Sequence, residues 1–283
     1  MGVRGCALRR PHGAGRGLPR GRSAERSRWP RSRVHAGAFR YPRHKLCGAL
    51  ARAAAVCSRA DGEVYVKALI IDGSPEPSSS ELVALLALDA DYVVAVDRGA
   101  IVCRSAGVVP DLFCGDDDSA DADTAAWARA HAGSTMRLPV EKDATDLAFA
   151  LDRAAEEARR RGEVLDVCLT CATGGRPDHM LGALGLLLAI KETGPMLVED
   201  GFELAILSPE GCDSWEFAEG EIGRTFSAVA LEPGTVVSEE GMRWRLDGAE
   251  LPLLGDRGVS NRIVGEHAKV TCHEGALAAF LIK

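Results

Sequence analysis

The sequence predicts an α/β fold: an N-terminal parallel-sheet α/β domain followed by a C-terminal antiparallel β-sandwich domain. Three observations predict it. From Val64 onward, short apolar runs alternate with helical stretches, the β-α-β-α succession of a parallel sheet covered on both faces. Acidic and glycine-rich turns follow these runs, reading Asp97-Arg98-Gly99-Ala100, Gly115-Asp116-Asp117-Asp118-Ser119, Lys142-Asp143-Ala144-Thr145-Asp146 and Thr173-Gly174-Gly175-Arg176-Pro177-Asp178-His179. After Pro195 no helical stretch interrupts a series of short runs separated by Gly, Pro and Asp turns, as in a sandwich or barrel.

Taken in order, Val66 to Ile71 reads as a strand ending at Asp72-Gly73-Ser74-Pro75, followed by a helix over Glu81 to Leu88. Tyr92 to Val96 is the next strand, Gly99 to Ala106 a short helix, Asp111 to Cys114 a brief strand, Asp123 to Ala132 a helix and Thr135 to Leu138 a strand. The clearest helix is 144–161: Leu147, Leu151, Ala154 and Ala158 share one face, Glu156 and Arg160 form an i,i+4 pair, and Gly162 stops it. Val164 to Thr170 is a buried strand, and Asp178 to Lys191 a helix with an acid at its positive end. Seven short strands then follow: Glu203 to Leu207, Ser214 to Phe217, Thr225 to Leu231, Met242 to Leu246, Arg262 to Val264, Lys269 to His273 and Leu277 to Ile282. The domain boundary falls near 193–197, at Thr193-Gly194-Pro195, which gives domains of 63–195 and 196–283.

Composition narrows the function. Residues 1 to 60 carry fifteen Lys or Arg and one acid, Glu25, a charge of +14; against a net charge of −7 the remainder must carry −21. The basic segment, residues 1–62, has many Gly, Pro and Arg and little apolar periodicity, and so builds no core. A disordered tail or a mis-set start suits it better than a targeting peptide. The acidic body argues against nucleic acid as a partner, since phosphate contacts need clustered cations. No run approaches the roughly 18 consecutive apolar residues of a membrane span, so a soluble, cytoplasmic protein is expected. Cys168 and Cys171 form a C-x-x-C inside a strand-like run without a second pair nearby, and read as buried strand cysteines.

If the apolar runs are parallel strands, the four turns share one sheet edge, where open α/β folds bind ligands. Carboxylates gathered there repel by roughly 1 kcal/mol per pair at 4 Å in water and about 4 at intermediate dielectric. Mg²⁺ with a phosphate substrate is the natural compensation. Alternate residues of an extended turn point the same way, so Asp116 and Asp118 can aim at one metal; a solvated acidic loop is an equal reading of the motif alone. An EF-hand is excluded, because its Gly and Glu positions hold Asp121 and Trp127. Asp143 and Asp146 share a face at a helix start, where capping and dipole compensation compete with a ligand role. Lys142 suits a phosphate or open solvent. The Gly174-Gly175 turn lets backbone N–H groups approach an anion, Arg176 offers a fork of donors, and His179 suits support better than ligand contact.

In order and placement these motifs resemble the thiamine pyrophosphokinase family, whose members move a diphosphoryl group from ATP to thiamine. The family's Asp-Gly-Gly-Ala, Pro-Asp-x-x-x-Gly-Asp-x-Asp-Ser, Lys-Asp-x-Thr-Asp and Gly-Gly-Arg-x-Asp-His segments appear here as Asp97 to Ala100, Pro110 to Ser119, Lys142 to Asp146 and Gly174 to His179. In the second domain, Gly241-Met242-Arg243-Trp244-Arg245-Leu246 is similar to a Gly-Leu-Lys-Trp/Tyr segment, and Val259-Ser260-Asn261 to a Ser-Asn signature. The resemblance covers residues 66 to 283. It implies a homodimer with shared active sites, with Asp116, Asp118 and Asp143 on Mg²⁺, and with Asp146, Arg176 and Asp178 around the ATP phosphates. Asp118, Asp146 and Asp178 are the catalytic candidates it yields. Asp97, Arg98, Lys142, Thr145, Gly174, Gly175 and His179 fall within its nucleotide motifs, and Trp244, Ser260 and Asn261 on the thiamine side. The indole face suits a flat, cationic heterocycle.

Three positions depart from the family pattern: Arg98 replaces a Gly, Asp117 stands where an aromatic is common, and Pro177 stiffens the approach to Asp178. Two other functions compete, a Mg²⁺-dependent phosphotransferase acting on another alcohol and a non-catalytic nucleotide or thiamine sensor.

Overall fold

The structure, a computed structural model, describes residues 63–115, 121–139 and 141–283. The basic segment and the turn holding Asp116, Asp117, Asp118 and Ser119 lie outside the described residues. The first half runs β1 (Tyr65–Ile71), α1 (Ser80–Ala87), β2 (Tyr92–Val96), α2 (Gly99–Ala106), β3 (Leu112–Gly115), α3 (Ala122–His131), β4 (Ser134–Arg137), α4 (Asp146–Arg161), β5 (Val164–Thr170), α5 (Pro177–Leu188) and β6 (Met196–Val198). The second half is β7 (Phe202–Leu207), β8 (Ser214–Glu216), β9 (Thr225–Ala230), β10 (Val236–Glu240), β11 (Leu246–Glu250), β12 (Asn261–Arg262), β13 (Lys269–Glu274) and β14 (Leu277–Ile282), joined by turns and two short 3₁₀ segments.

One ten-stranded sheet spans both halves in the order β12-β9-β14-β7-β6-β5-β1-β2-β3-β4. Strands β1 to β6 are parallel, and from β7 onward the pairing is antiparallel. A second sheet, β11-β10-β13-β8, makes the other layer of the sandwich. At residues 193–197, where the sequence suggests a boundary, β6 pairs with β5 on one side and β7 on the other, so the backbone ladder continues without a break.

Alternation along the central strands assigns each side chain to one of two cores. Leu69, Ile71, Val93, Ala95 and Phe113 face α1, α2 and α3, and their cluster runs on into the sandwich through Trp215, Phe226, Val237 and Leu277. Val66, Ile70, Val94, Val96 and Leu169 face the opposite way, against Leu147, Leu151 and Ala154 of α4 and Leu187 of α5. Trp215 and Phe226 are fully buried, each stabilising the fold by about 1.5–3 kcal/mol through burial.

Helix α4 follows its sequence closely. Thr145 caps it by accepting the Ala148 N–H at 3.3 Å, and Gly162 ends it at φ 70°. Its ion pairs differ from expectation. Arg160 forks onto Glu157, and Glu156 takes Arg153 instead, because spacings of three and four both bring neighbours together on a helix.

Two strand assignments are also corrected. Residues 242–246 do not form a strand: Met242 makes a single bridge to Ile263, and the regular strand begins at Leu246. Strand β10 is absent from the sequence reading because Ser238-Glu239-Glu240 is polar, although Glu239 points inward and is completely buried. Cys168 is half-buried in β5, and Cys171 lies buried just beyond it. Burial pushes the Cys171 thiol up to about 12, which suits packing and not redox chemistry.

Candidate active site

Among the described residues, the parallel strands place the sequence-predicted turns at one edge. The chain winds outward from β1 through β2, β3 and β4, then returns to the other side of β1 as β5. The reversal makes the carboxyl ends of β1 and β5 the topological switch point, the position where open α/β sheets take ligands. Asp72 follows β1, Asp97 follows β2, Gly115 ends β3, Lys142 to Asp146 lie between β4 and α4, and Thr173 to His179 link β5 to α5.

Close backbone approach shapes the loop after β5. A Cβ on Gly174 would lie 1.8 Å from the Glu76 carbonyl oxygen, so only glycine fits there. The Ser74 hydroxyl donates to the Gly174 carbonyl, tying the β1 and β5 loops together. Arg176 holds Asp178 through two bonds of 2.9 and 2.7 Å, both side chains being exposed. The guanidinium keeps the Asp178 carboxyl well below the usual carboxylate range. His179, next in α5, is exposed.

The carboxylates divide by environment. Lys142 Nζ lies 3.0 Å from Asp146 Oδ2, both side chains largely enclosed, and also donates to the Pro139 carbonyl. Asp146 Oδ1 is buried with no hydrogen-bond partner among the described residues, an acceptor left for a ligand. Asp143 and Thr145 are exposed, three and one residues before it. Asp97 has φ 45°, and its Oδ1 occupies the space that a Cβ on Gly115 would need, 2.2 Å away. Arg98 is helical and exposed, so it adds a cation at the rim without closing the turn.

Two acids at this edge escape the sequence reading. Asp72 reads there only as a strand end, yet burial pushes its carboxyl up to about 6. The Gly73 N–H bond and the field of His179 favour its charged form, while Glu199 and Asp146 oppose it. Glu199, immediately after β6, is buried and accepts from the N–H groups of Cys171 and Ala172, the Thr173 hydroxyl and the Ser78 hydroxyl. Asp72 was detectable by analogy with Asp97, each being the first residue past a parallel strand. No sequence signal marks Glu199, since its partners come from loops far away in the chain.

On the sandwich, Trp244 is 58 % exposed and carries the Arg243 guanidinium 5.2 Å from its ring centroid. Asn261 is buried and bonds to the Trp244 backbone in both directions, accepting its N–H at 3.1 Å and donating to its carbonyl at 2.7 Å. Ser260 is exposed at φ 62°, a conformation uncommon outside glycine, and its N–H is held by the Ser227 hydroxyl. Among the described residues, no group of three or more His, Cys, Asp or Glu forms a ready metal cage.

Residues 83–198 match the family description "Thiamin pyrophosphokinase, catalytic domain", and residues 216–277 match "Thiamin pyrophosphokinase, vitamin B1 binding domain". A Bacillus subtilis thiamine pyrophosphokinase is 34% identical over 186 residues, 65% of this chain and 84% of that protein. The chain belongs to the thiamine pyrophosphokinase family. Solved structures agree in fold. The Bacillus subtilis thiamine pyrophosphokinase superposes with a TM-score of 0.64 at 21% identity, over 77% of this chain and 99% of that one. The Candida albicans enzyme gives 0.63 at 14% identity, over 81% and 96%. The family's catalytic match ends at Val198, so Glu199 is the first residue beyond it. Its vitamin-binding match contains Glu239, Trp244, Ser260 and Asn261.

Proposed function

We propose that this protein is an ATP-dependent thiamine diphosphokinase, converting thiamine and ATP to thiamine diphosphate and AMP. The observation that carries this reading is that the described nucleotide motifs follow parallel strands at one sheet edge in a chain that matches both the family's catalytic and its vitamin-binding domains. The thiamine hydroxyl oxygen attacks the β-phosphorus of ATP. The bond from that phosphorus to the α,β-bridging oxygen breaks, AMP leaves with the oxygen, and the hydroxyl proton passes to a carboxylate.

The residues act mainly by positioning, because phosphoryl transfer needs little covalent help from protein. The Gly174-Gly175 turn and Arg176 cradle the phosphates, and substrate phosphate competes with Asp178 for the Arg176 fork. Lys142 neutralises Asp146 until substrate arrives. Asp146 and Asp118 are the proton acceptors we infer. An all-carboxylate donor set and an orphaned acceptor at Asp146 Oδ1 fit a hard divalent cation. Asp116, Asp118 and Asp143 would hold Mg²⁺. When bound, that ion neutralises charge developing on the transferred group.

Trp244 presents its indole face to thiamine, and Ser260 lies close by in sequence at the same rim. Exposed Trp244, Leu253, Leu254, Val259 and Val264 on the sandwich support a homodimer whose sites are shared between chains. Among the described residues no helix is long and apolar enough to cross a membrane.

Incubation with ATP, Mg²⁺ and thiamine, with products separated by chromatography, tests the reading. Thiamine diphosphate with AMP is expected; ADP would mark a different kinase, and thiamine binding without AMP a sensor. Asp118→Asn should abolish AMP formation in a folded protein, and undiminished turnover would sink the metal assignment.

A further inference from the structure

Asn261 has no hydrogen-bonding capacity left for a substrate. Its Nδ2 donates to the Trp244 carbonyl at 2.7 Å and to Glu239 Oε2 at 2.5 Å. Its Oδ1 accepts the N–H groups of Trp244 at 3.1 Å and Arg262 at 2.8 Å. Two donor hydrogens and two lone pairs are all that a primary amide possesses. The side chain is also only 3 % exposed.

We infer that Glu239 and Asn261 form a positioning pair that holds Trp244 in place for thiamine, Asn261 gripping the Trp244 backbone and Glu239 setting which way the Asn261 amide faces. The inference rests on the thiamine reading of Trp244 given above. An amide turned end for end would set Oδ1 against both the Glu239 carboxyl and the Trp244 carbonyl, and Nδ2 against two N–H donors. The three backbone contacts would become repulsive, and an ionised Glu239 carboxyl adds a fourth repulsion, so Glu239 reinforces the orientation seen.

The clamp compensates for a gap in the sheet. Between β10 and β11 the chain from Gly241 to Arg245 has no strand ladder; Met242 bridges Ile263, and the Arg243 N–H reaches the Arg262 carbonyl. Among the described residues, Asn261 holds the Trp244 backbone at both its N–H and its carbonyl. Glu239 sits opposite Leu246 on β11 and Val270 on β13. The charged neighbours on those strands turn elsewhere. Asp247, Glu250, His273 and Glu274 are exposed, His273 bonds Ser238, and Lys269 pairs with Glu216. Glu239 Oε1 is buried without a hydrogen-bond partner among the described residues. A fully buried carboxyl with one amide partner is costly to retain for packing alone.

Glu239→Leu, which keeps bulk and removes the acceptor, is compared with Glu239→Gln, which keeps an acceptor oxygen. Thiamine and ATP affinities are measured by calorimetry, and the Trp244 backbone N–H by hydrogen exchange. Glu239→Leu should weaken thiamine binding by about tenfold or more, the loss of one well-made polar contact, and should speed Trp244 exchange while ATP affinity is kept. Glu239→Gln should restore both. A folded Glu239→Leu protein with wild-type thiamine affinity and wild-type Trp244 exchange overturns the assignment; if that variant does not fold, Glu239→Thr, too short to reach Asn261, is read by the same criteria. Wild-type protein that binds no thiamine would instead sink the substrate reading, while Trp244 exchange would still decide whether the clamp exists.

Discussion

Glu199 accepts the backbone N–H of Ala172 at 2.8 Å, and with the same carboxylate holds the N–H of Cys171 at 3.1 Å. The glutamate follows β6 and the two amides follow β5, so a buried acid from one parallel strand shapes the loop of its neighbour. Cys171 sits at φ 58°, a conformation uncommon outside glycine, and those bonds help to hold the loop in it. Glu199→Ala should lower stability by about 3 kcal/mol or more, since it strands buried donors. Calorimetric melting measures that loss, and a rise in KM for ATP larger than the change in KM for thiamine would locate the damage at the β5 loop.

Lys142 and Asp146 should behave as one unit. Lys142→Met removes the ammonium beside the enclosed Asp146 carboxyl, and Asp146→Asn removes the charge that faces Lys142 at 3.0 Å. A double-mutant cycle on kcat/KM for ATP should give a coupling of about 0.5–3 kcal/mol, the range for residues in direct contact. Strict additivity would show that the pair is incidental to nucleotide binding.

Trp244→Ala should leave the melting temperature nearly unchanged, because the side chain is 58 % exposed, and should raise KM for thiamine. Loss of a stacked cation–π contact of about 1–2 kcal/mol corresponds to roughly a five- to thirty-fold effect. Trp244→Phe should recover part of it. Steady-state kinetics with thiamine as the varied substrate provides the check.

Glu239 makes stability depend on pH in a definite direction. Burial raises its carboxyl from 4.5 to about 7, opposed only by the Asn261 bond. The folded protein therefore binds this proton more tightly than the unfolded chain does, and stability falls as pH rises from about 4.5 to about 7. Glu239→Gln has no such proton to lose. It should match wild type near pH 4.5 in this contribution and exceed it at pH 8 by up to about 3 kcal/mol, the linkage value of a shift of this size. Denaturant titrations at the two pH values decide it, and parallel curves for the two proteins would refute it.

The fold was legible wherever local chemistry agreed with the tertiary context. Thr145 and Gly162 bound α4 as their types require, and the apolar runs of β1, β2 and β5 could be nothing but central strands. Strand β10 was illegible because Glu239 occupies an inward position that patterning reserves for apolar residues. The segment 242–246 failed in the other direction, its Met, Trp and Leu resembling a strand although Trp244 faces solvent.

By itself the sequence determined the parallel first half, the placing of Lys142, Asp146 and Arg176 just beyond parallel strands, and the antiparallel second half. Those features depend on residue type and spacing, which are local. Only the tertiary structure decided that Glu199 organises the β5 loop, that burial pushes the Asp72 carboxyl up to about 6, and that the Asn261 amide is taken up by the Trp244 backbone, Glu239 and Arg262. Each depends on burial and on partners brought together from distant parts of the chain, and neither quantity is written in a residue's immediate neighbours.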